Sequence, residues 1–199
     1  MRFKTFLTAV AALASLMIFA ATSTAADKYT ADPSHSSIGF AVRHMVVSKV
    51  KGYFNEYTAT ILYDDKDITK SSTEVTIKTA SIDTRDAKRD EHLRTPDFFD
   101  AAKYPEITFK SKRIEKSEDG FVAVGDLTMR GVTKEISIQF TFSGVVTDPW
   151  GNTRLGLSGG TKLNRQDYGI SWSKSLDTGG LVVADDVEIA IEIEAIKAK

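Results

Sequence analysis

Three histidines, His35, His44 and His92, are the residues of this 199-residue chain best suited to proton transfer or metal ligation. Zinc sites draw on His and Cys, usually with two ligands at tight spacing. The chain has no cysteine and no H-E-x-x-H pattern. His35 and His44 stand nine positions apart, so on one regular strand they would face opposite sides. Placed in a turn before the strand, His35 escapes that parity. The expectation is no metal ligand set and no cofactor, with His35 bonded to backbone near Asp32-Pro33.

Other catalytic patterns are equally thin. No G-x-S-x-G elbow occurs; Gly156-Leu157-Ser158-Gly159 reads as a strand bend. Gly159-Gly160 and Gly179-Gly180 lack the Lys and helix that complete a phosphate loop. Asp185 and Asp186 are adjacent, so a strand sends them to opposite faces, away from paired acid–base work. No catalytic residue is assigned.

The elements that would position any site begin after a leader. Arg2 and Lys4 precede an apolar run from Phe6 to Ala21, and Ser23-Thr24-Ala25-Ala26 offers small residues for cleavage. Residues 1–26 are expected to be a signal peptide cut after Ala25 or Ala26, giving a periplasmic protein. No Cys follows the run to carry a lipid anchor. Residues 27–199 are expected to form a single domain. Removing Arg2 and Lys4 lowers Lys plus Arg from 26 to 24 against 27 Asp plus Glu, a formal charge of −3. That balance speaks against a nucleic-acid partner. Without disulfides the core alone must hold the domain.

Alternation of apolar and polar residues dominates this domain. Ile38, Phe40 and Val42 share a face; so do Val75, Ile77 and Thr79; so do Ile136, Ile138, Phe140 and Phe142; so do Val187, Ile189, Ile191 and Ile193. Leu155 and Leu157 follow the Asp148-Pro149-Trp150-Gly151-Asn152 turn. Further strands are expected at 52–63, 106–115 and 121–129, about eight in all. Only 85–103 looks helical: a charged turn through Arg89–Arg94, then a second short helix capped by Thr95 with Pro96 at its first position, stopped by Tyr104-Pro105. Strands with one apolar face need a two-sheet sandwich or a closed barrel. An outer-membrane barrel is disfavoured, because the Glu188, Glu192 and Glu194 face suits water rather than lipid.

The segment Arg89–Ser111, RDEHLRTPDFFDAAKYPEITFKS, resembles the DEHL…FFD…YP…ITF stretch of the YceI-like family, bacterial polyisoprenoid-binding proteins. The likeness continues in order along the chain. It takes in Asp32-Pro33-Ser34-His35-Ser36, a Gly52-Tyr53-Phe54 turn, Ser81-Ile82-Asp83-Thr84, the Gly125–Lys134 hairpin and Asp167-Tyr168-Gly169-Ile170. The resemblance implies an extended antiparallel eight-stranded lipocalin-like β-barrel with a short helical insertion near 86–103. It also implies a long isoprenoid chain held inside and a link to envelope stress.

On that reading the lumen would be lined by Ile38, Phe40, Val42, Phe54, Phe98, Phe99, Ile107, Phe109, Ile138, Phe140, Phe142 and Trp172. The ligand would be a polyprenyl chain, its phosphate or an isoprenoid quinone. His44, Arg94 and Arg130 would stand at the mouth to receive a polar head group, since guanidinium groups bind phosphate bidentately. Two other readings stay open: an enzyme acting on an apolar substrate with His35, His44 or Arg94 at its polar centre, and an envelope stress protein whose core is filled. An imperfectly closed seam would also allow edge-to-edge pairing into a homodimer. Stable insertion into a membrane is not expected.

Overall fold

The computed structural model describes residues 26–45, 47–175 and 181–199. The expected leader, apart from Ala26, and Gly179-Gly180 lie outside the described residues. Eleven antiparallel strands follow in order: β1 (Asp27–Ala31), β2 (Ser37–His44), β3 (Ser48–Phe54), β4 (Tyr57–Tyr63), β5 (Ser72–Lys78), β6 (Ile82–Asp83), β7 (Glu106–Ser117), β8 (Gly120–Met129), β9 (Val132–Thr147), β10 (Thr153–Asn164) and β11 (Val183–Lys197). One α-helix, α1 (Ala87–Arg94), stands between β6 and β7.

The sheet order is β1-β4-β5-β7-β8-β9-β10-β11, and β11 returns to β1, closing an eight-stranded barrel. That is the architecture the resemblance implied, and it decides between the sandwich and the barrel that the alternation left open. The closing seam is short, three residue pairs from Tyr29↔Lys197 to Ala31↔Ala195. Beyond it the same edge of β11 pairs with β2, from Ser37↔Glu192 to His44↔Val183. β1 and β2 therefore run end to end as one bent wall strand, and β3 and β4 do the same beside them. The stretch 52–63 is thus two strands broken at Asn55-Glu56, not one.

Side-chain parity sets the interior. On β11, Val187, Ile189 and Ile191 point inward while Glu188, Ala190 and Glu192 are exposed. Bulges shift that parity. An extra residue between Ser111 and Arg113 of β7 lets Ile107, Phe109 and Ser111 face inward at odd positions and Ile114 at an even one. A second bulge in β9, beside Gly144 at φ +104°, follows Phe142 and leaves Val145 and Val146 exposed.

Two local expectations are corrected. Gly52-Tyr53-Phe54 is not a turn but the end of β3. A Cβ on Gly52 would lie 2.4 Å from the Phe40 ring and 2.8 Å from Thr84 Cγ2, so this glycine makes room for Phe40. The second helix after Thr95-Pro96 does not form. The Thr95 carbonyl instead accepts from the Phe98 and Asp100 amides, and Phe99 N–H donates to Leu93 O, which winds 95–103 into turns.

Candidate binding cavity

A cavity of about 630 Å³ runs through the barrel, within the range of small-molecule sites. Along β11 its wall extends from Val183 to Ile193, ten residue steps or about 33 Å of strand. All twelve apolar residues expected at the lumen line it: Ile38, Phe40, Val42, Phe54, Phe98, Phe99, Ile107, Phe109, Ile138, Phe140, Phe142 and Trp172. They are joined by residues the sequence reading left out, among them Ile61, Ile136, Leu155, Ile170, Ile189 and Ile193. Many inward residues of β2, β9 and β11 are only half-buried, because they border this space instead of meeting a partner across it.

Ser71, Ser72 and Thr73 add hydroxyl groups to the lining near Ile61 and Tyr63, and the charged side chains that line the cavity gather at the other end. His44 closes β2 there, opposite Asp86, Lys88, Arg89 and His92 on or beside α1. Among the described residues, Asp86 and Lys88 are the only exposed ones that line the cavity, so this end is the mouth. The far end, near Ile61, Tyr63, Leu155 and Ile193, sits beneath the β1–β11 seam.

α1 is fixed over the mouth by paired polar contacts. Asp86 caps it, its carboxylate accepting from the Lys88 and Arg89 amides at 3.1 Å each. The buried Asp90 carboxylate accepts from Thr84 N–H at 2.8 Å and Thr84 Oγ1 at 2.5 Å. Arg89 donates to Thr84 Oγ1 and to the Thr84 carbonyl at 2.7 and 2.8 Å. Beyond the helix, His92, Phe98 and Trp172 meet as an aromatic trio with ring centroids 5.0–5.2 Å apart, and His92 Nε2 lies 2.8 Å from Asp97.

The two expected mouth arginines work elsewhere. Arg94 donates to the Ala80 and Ile82 carbonyls, both at 2.8 Å, and Arg130 donates to the Pro96 carbonyl at 2.7 Å and to Gly169 O. Neither lines the cavity; each ties one backbone segment to another. Of the three residues expected to receive a head group, only His44 borders the space.

Arg165 was missed. It is 5% exposed and borders the cavity, but its donors go to the carbonyls of Ala184, Ile170, Trp172 and Val183 and to Asp185. Burial pushes its guanidinium down while Asp185 holds it charged. It pins the Asp167-Tyr168-Gly169-Ile170 motif to the start of β11. Nothing in spacing marks such a residue, because most of its partners are backbone atoms.

His35 lies outside the cavity, in the turn between β1 and β2. With Asp32 and Glu194 it offers three ligand atoms within 4.8 Å of one another. The same Asp32 and Glu194 oxygens, however, already accept from Arg154 Nη1, at 2.9 and 2.6 Å. A cation would have to displace that guanidinium. The cluster instead staples the seam: Arg154 also reaches Asp148 at 2.7 Å, while Ser36 Oγ donates to Glu194 O and accepts from Glu194 N–H.

Comparison with known proteins agrees with this geometry. Residues 29–195 match the YceI-like domain. Protein YceI of Escherichia coli is 35% identical over 187 residues, which cover 94% of this chain and 95% of that protein. A UPF0312 protein of Yersinia pestis is 34% identical with the same coverage. Among solved structures, the Campylobacter jejuni YCEI protein is 36% identical and superposes with a TM-score of 0.69 over 79% of this chain and 90% of that one. Two more distant structures share the fold. Burkholderia cenocepacia BcnA has a TM-score of 0.73 at 23% identity, over 82% of this chain and 98% of its own. A polyisoprenoid binding domain from Saccharophagus degradans has a TM-score of 0.62 at 15% identity, over 85% and 98%.

Proposed function

The chain belongs to the YceI-like family, and from that premise we propose that it binds a long-chain isoprenoid lipid inside its barrel and serves as a periplasmic carrier or reservoir for it. The observation that carries this reading is the form of the cavity: a long, mainly apolar tube whose exposed lining, among the described residues, is confined to one end. A flexible, branched hydrocarbon tail matches such a wall, and a polar head matches the Asp86, Lys88, Arg89 and His44 end. The Saccharophagus domain of the same fold, described as polyisoprenoid binding, supports the ligand class. The leader-like residues 1–26 support export.

Each buried CH₂ is worth about 0.8 kcal/mol relative to water, so a polyprenyl tail gains amply on entering. A bilayer offers the tail the same gain. Function then rests on exchange between two apolar hosts, with the tail sequestered in the barrel between encounters. Entry and release require α1, or the turns after it, to shift from the mouth.

The test is to purify the exported protein under native conditions, extract it with organic solvent and identify the extract by mass spectrometry. A near-stoichiometric polyprenol, polyprenyl phosphate or quinone is the expected result. An empty extract, with no uptake of those lipids on addition, would overturn the carrier reading. It would favour the enzyme or the filled-core reading and make His44 and His92, which border the cavity, the first histidines to test.

A further inference from the structure

Large apolar side chains are exposed at a few places on the described surface, and three of them rim the cavity mouth: Val47 at 81%, Met45 at 41% and Leu181 at 40%. Met45 and Val47 flank the turn between β2 and β3, directly after His44. Met45 N–H donates to Val182 O at 2.9 Å, which places Leu181 beside them. His44 and Val182 line the cavity, so this rim is continuous with its wall. Solvation gives no reason to present such residues together at the opening of an apolar tube.

Cations surround the same opening. Lys88 lines the mouth and is exposed; Lys174, also exposed, accepts the Val182 N–H at its carbonyl, so it too lies beside the rim. Neither has an ion-pair partner among the described residues. The nearby acids are largely engaged: Asp86 with the helix amides and Arg89, Asp97 with His92, Glu188 with Lys49, Asp185 with Arg165. Glu91 of α1 is exposed as well and opposes the cations.

We infer that the mouth of the barrel docks on an anionic lipid bilayer, with Met45, Val47 and Leu181 entering the interface and Lys88 and Lys174 facing the headgroups. Peripheral attachment of this kind needs both apolar area and basic charge. It lets a tail pass from bilayer to barrel without crossing water. The opposite end of the barrel has its own exposed apolar residues, Val145, Val146 and Trp150, but these adjoin Asp32, Asp148 and Glu194, three carboxylates around one arginine. That charge opposes an anionic surface, and among the described residues no exposed side chain at that end lines the cavity. The inference rests on the carrier reading for its purpose but is tested apart from it.

The experiment is flotation of the protein, purified from its host and with its N-terminus determined so that an uncleaved leader is not mistaken for the surface. Vesicles of phosphatidylglycerol with phosphatidylethanolamine are compared with phosphatidylcholine alone. Flotation with the anionic vesicles only, weakened by salt, is expected. The double variant Val47→Asp/Leu181→Asp should lose it, Lys88→Ala should weaken partitioning about fivefold, and Trp150→Ala should leave it unchanged. Circular dichroism and the melting temperature confirm that each variant is folded. Absent flotation, or flotation undiminished in the folded double variant, or loss confined to Trp150→Ala, would overturn the inference. Uptake of a fluorescent polyprenol from dilute vesicle-free dispersion is measured in parallel. Uptake without flotation sinks the docking surface and spares the carrier; flotation without uptake does the reverse.

Discussion

Asp90 and Thr84 are joined twice, the carboxylate of the helix accepting both the backbone N–H and the hydroxyl of the residue that ends the wall beside it. Both residues are buried, at 7% and 5% exposure. The Thr84 hydroxyl in turn accepts from Arg89. α1 has almost no apolar face of its own, since its sequence is AKRDEHLR. Its seat over the cavity is therefore held mainly by polar contacts, with Leu93 and the following Phe98 and Phe99 adding the apolar ones.

Asp90→Ala is accordingly expected to cost about 2–3 kcal/mol, because it leaves the Thr84 N–H and hydroxyl buried with one acceptor fewer. Asp90→Asn, which keeps an acceptor of the same size, should cost less. Urea unfolding of the two variants checks this. Equal stability of Asp90→Ala and the parent would show that α1 is not held through Thr84.

The seam predicts an acid limit. The Ser34 hydroxyl, then Arg154 and His35, hold the Asp32 carboxyl well below the usual range. Burial pushes Asp148 up, but hydrogen bonds from Arg154, Asn152 and Trp150 outweigh it and hold that carboxyl low as well. Both groups bind protons more weakly folded than unfolded, where an Asp titrates near pH ~3.9. Their stabilisation is thus complete above that value and is lost as the pH falls below it. The melting temperature should decline steeply from about pH 4 downward. Arg154→Met should melt lower at neutral pH and show a shallower acid decline; a parallel decline would place the acid limit elsewhere.

The wall of the cavity was legible because alternation on a strand fixes which side chains share a face, and Ile38, Phe40 and Val42 or Ile138, Phe140 and Phe142 follow it without interruption. The bulges in β7 and β9 were not legible, since one extra residue changes parity without changing composition. Arg94 and Arg130 were misplaced for a related reason: an arginine that serves backbone carbonyls looks in sequence like one that serves a phosphate. The turns after Thr95 misled because Thr-Pro begins a helix or a turn with equal ease, and here the Thr95 carbonyl is taken by Phe98 and Asp100. The rim at Met45, Val47 and Leu181 drew no notice because isolated apolar residues in turns carry no pattern until the fold brings them to one opening.

Filling the tube separates a lipid carrier from a protein with a packed core. Ile191 borders the cavity and is only half-buried, so Ile191→Trp has space to enter. In a closed core such overpacking costs roughly 1–3 kcal/mol. Here the melting temperature should change little while extractable lipid falls several-fold. A strongly destabilised Ile191→Trp, with lipid content per folded molecule unchanged, would mean that this part of the barrel is ordinary core.

Occupancy of the cavity should be visible in the protein's own fluorescence. The chain has two tryptophans, and they report on different places. Trp150 is 81% exposed on the β9–β10 turn, whereas Trp172 lines the cavity against His92 and Phe98. Trp150→Phe therefore leaves a single reporter at the site, at a position where the substitution meets mostly solvent. Titrating the delipidated variant with a polyprenol should shift the Trp172 emission to shorter wavelength, saturating near one lipid per chain, and an isoprenoid quinone should quench it. The reciprocal variant, Trp172→Phe, should show neither change in its Trp150 signal. Emission from Trp172 that stays constant while lipid is demonstrably bound would place the tail away from the His92, Phe98 and Trp172 trio and would confine it to the seam end of the barrel.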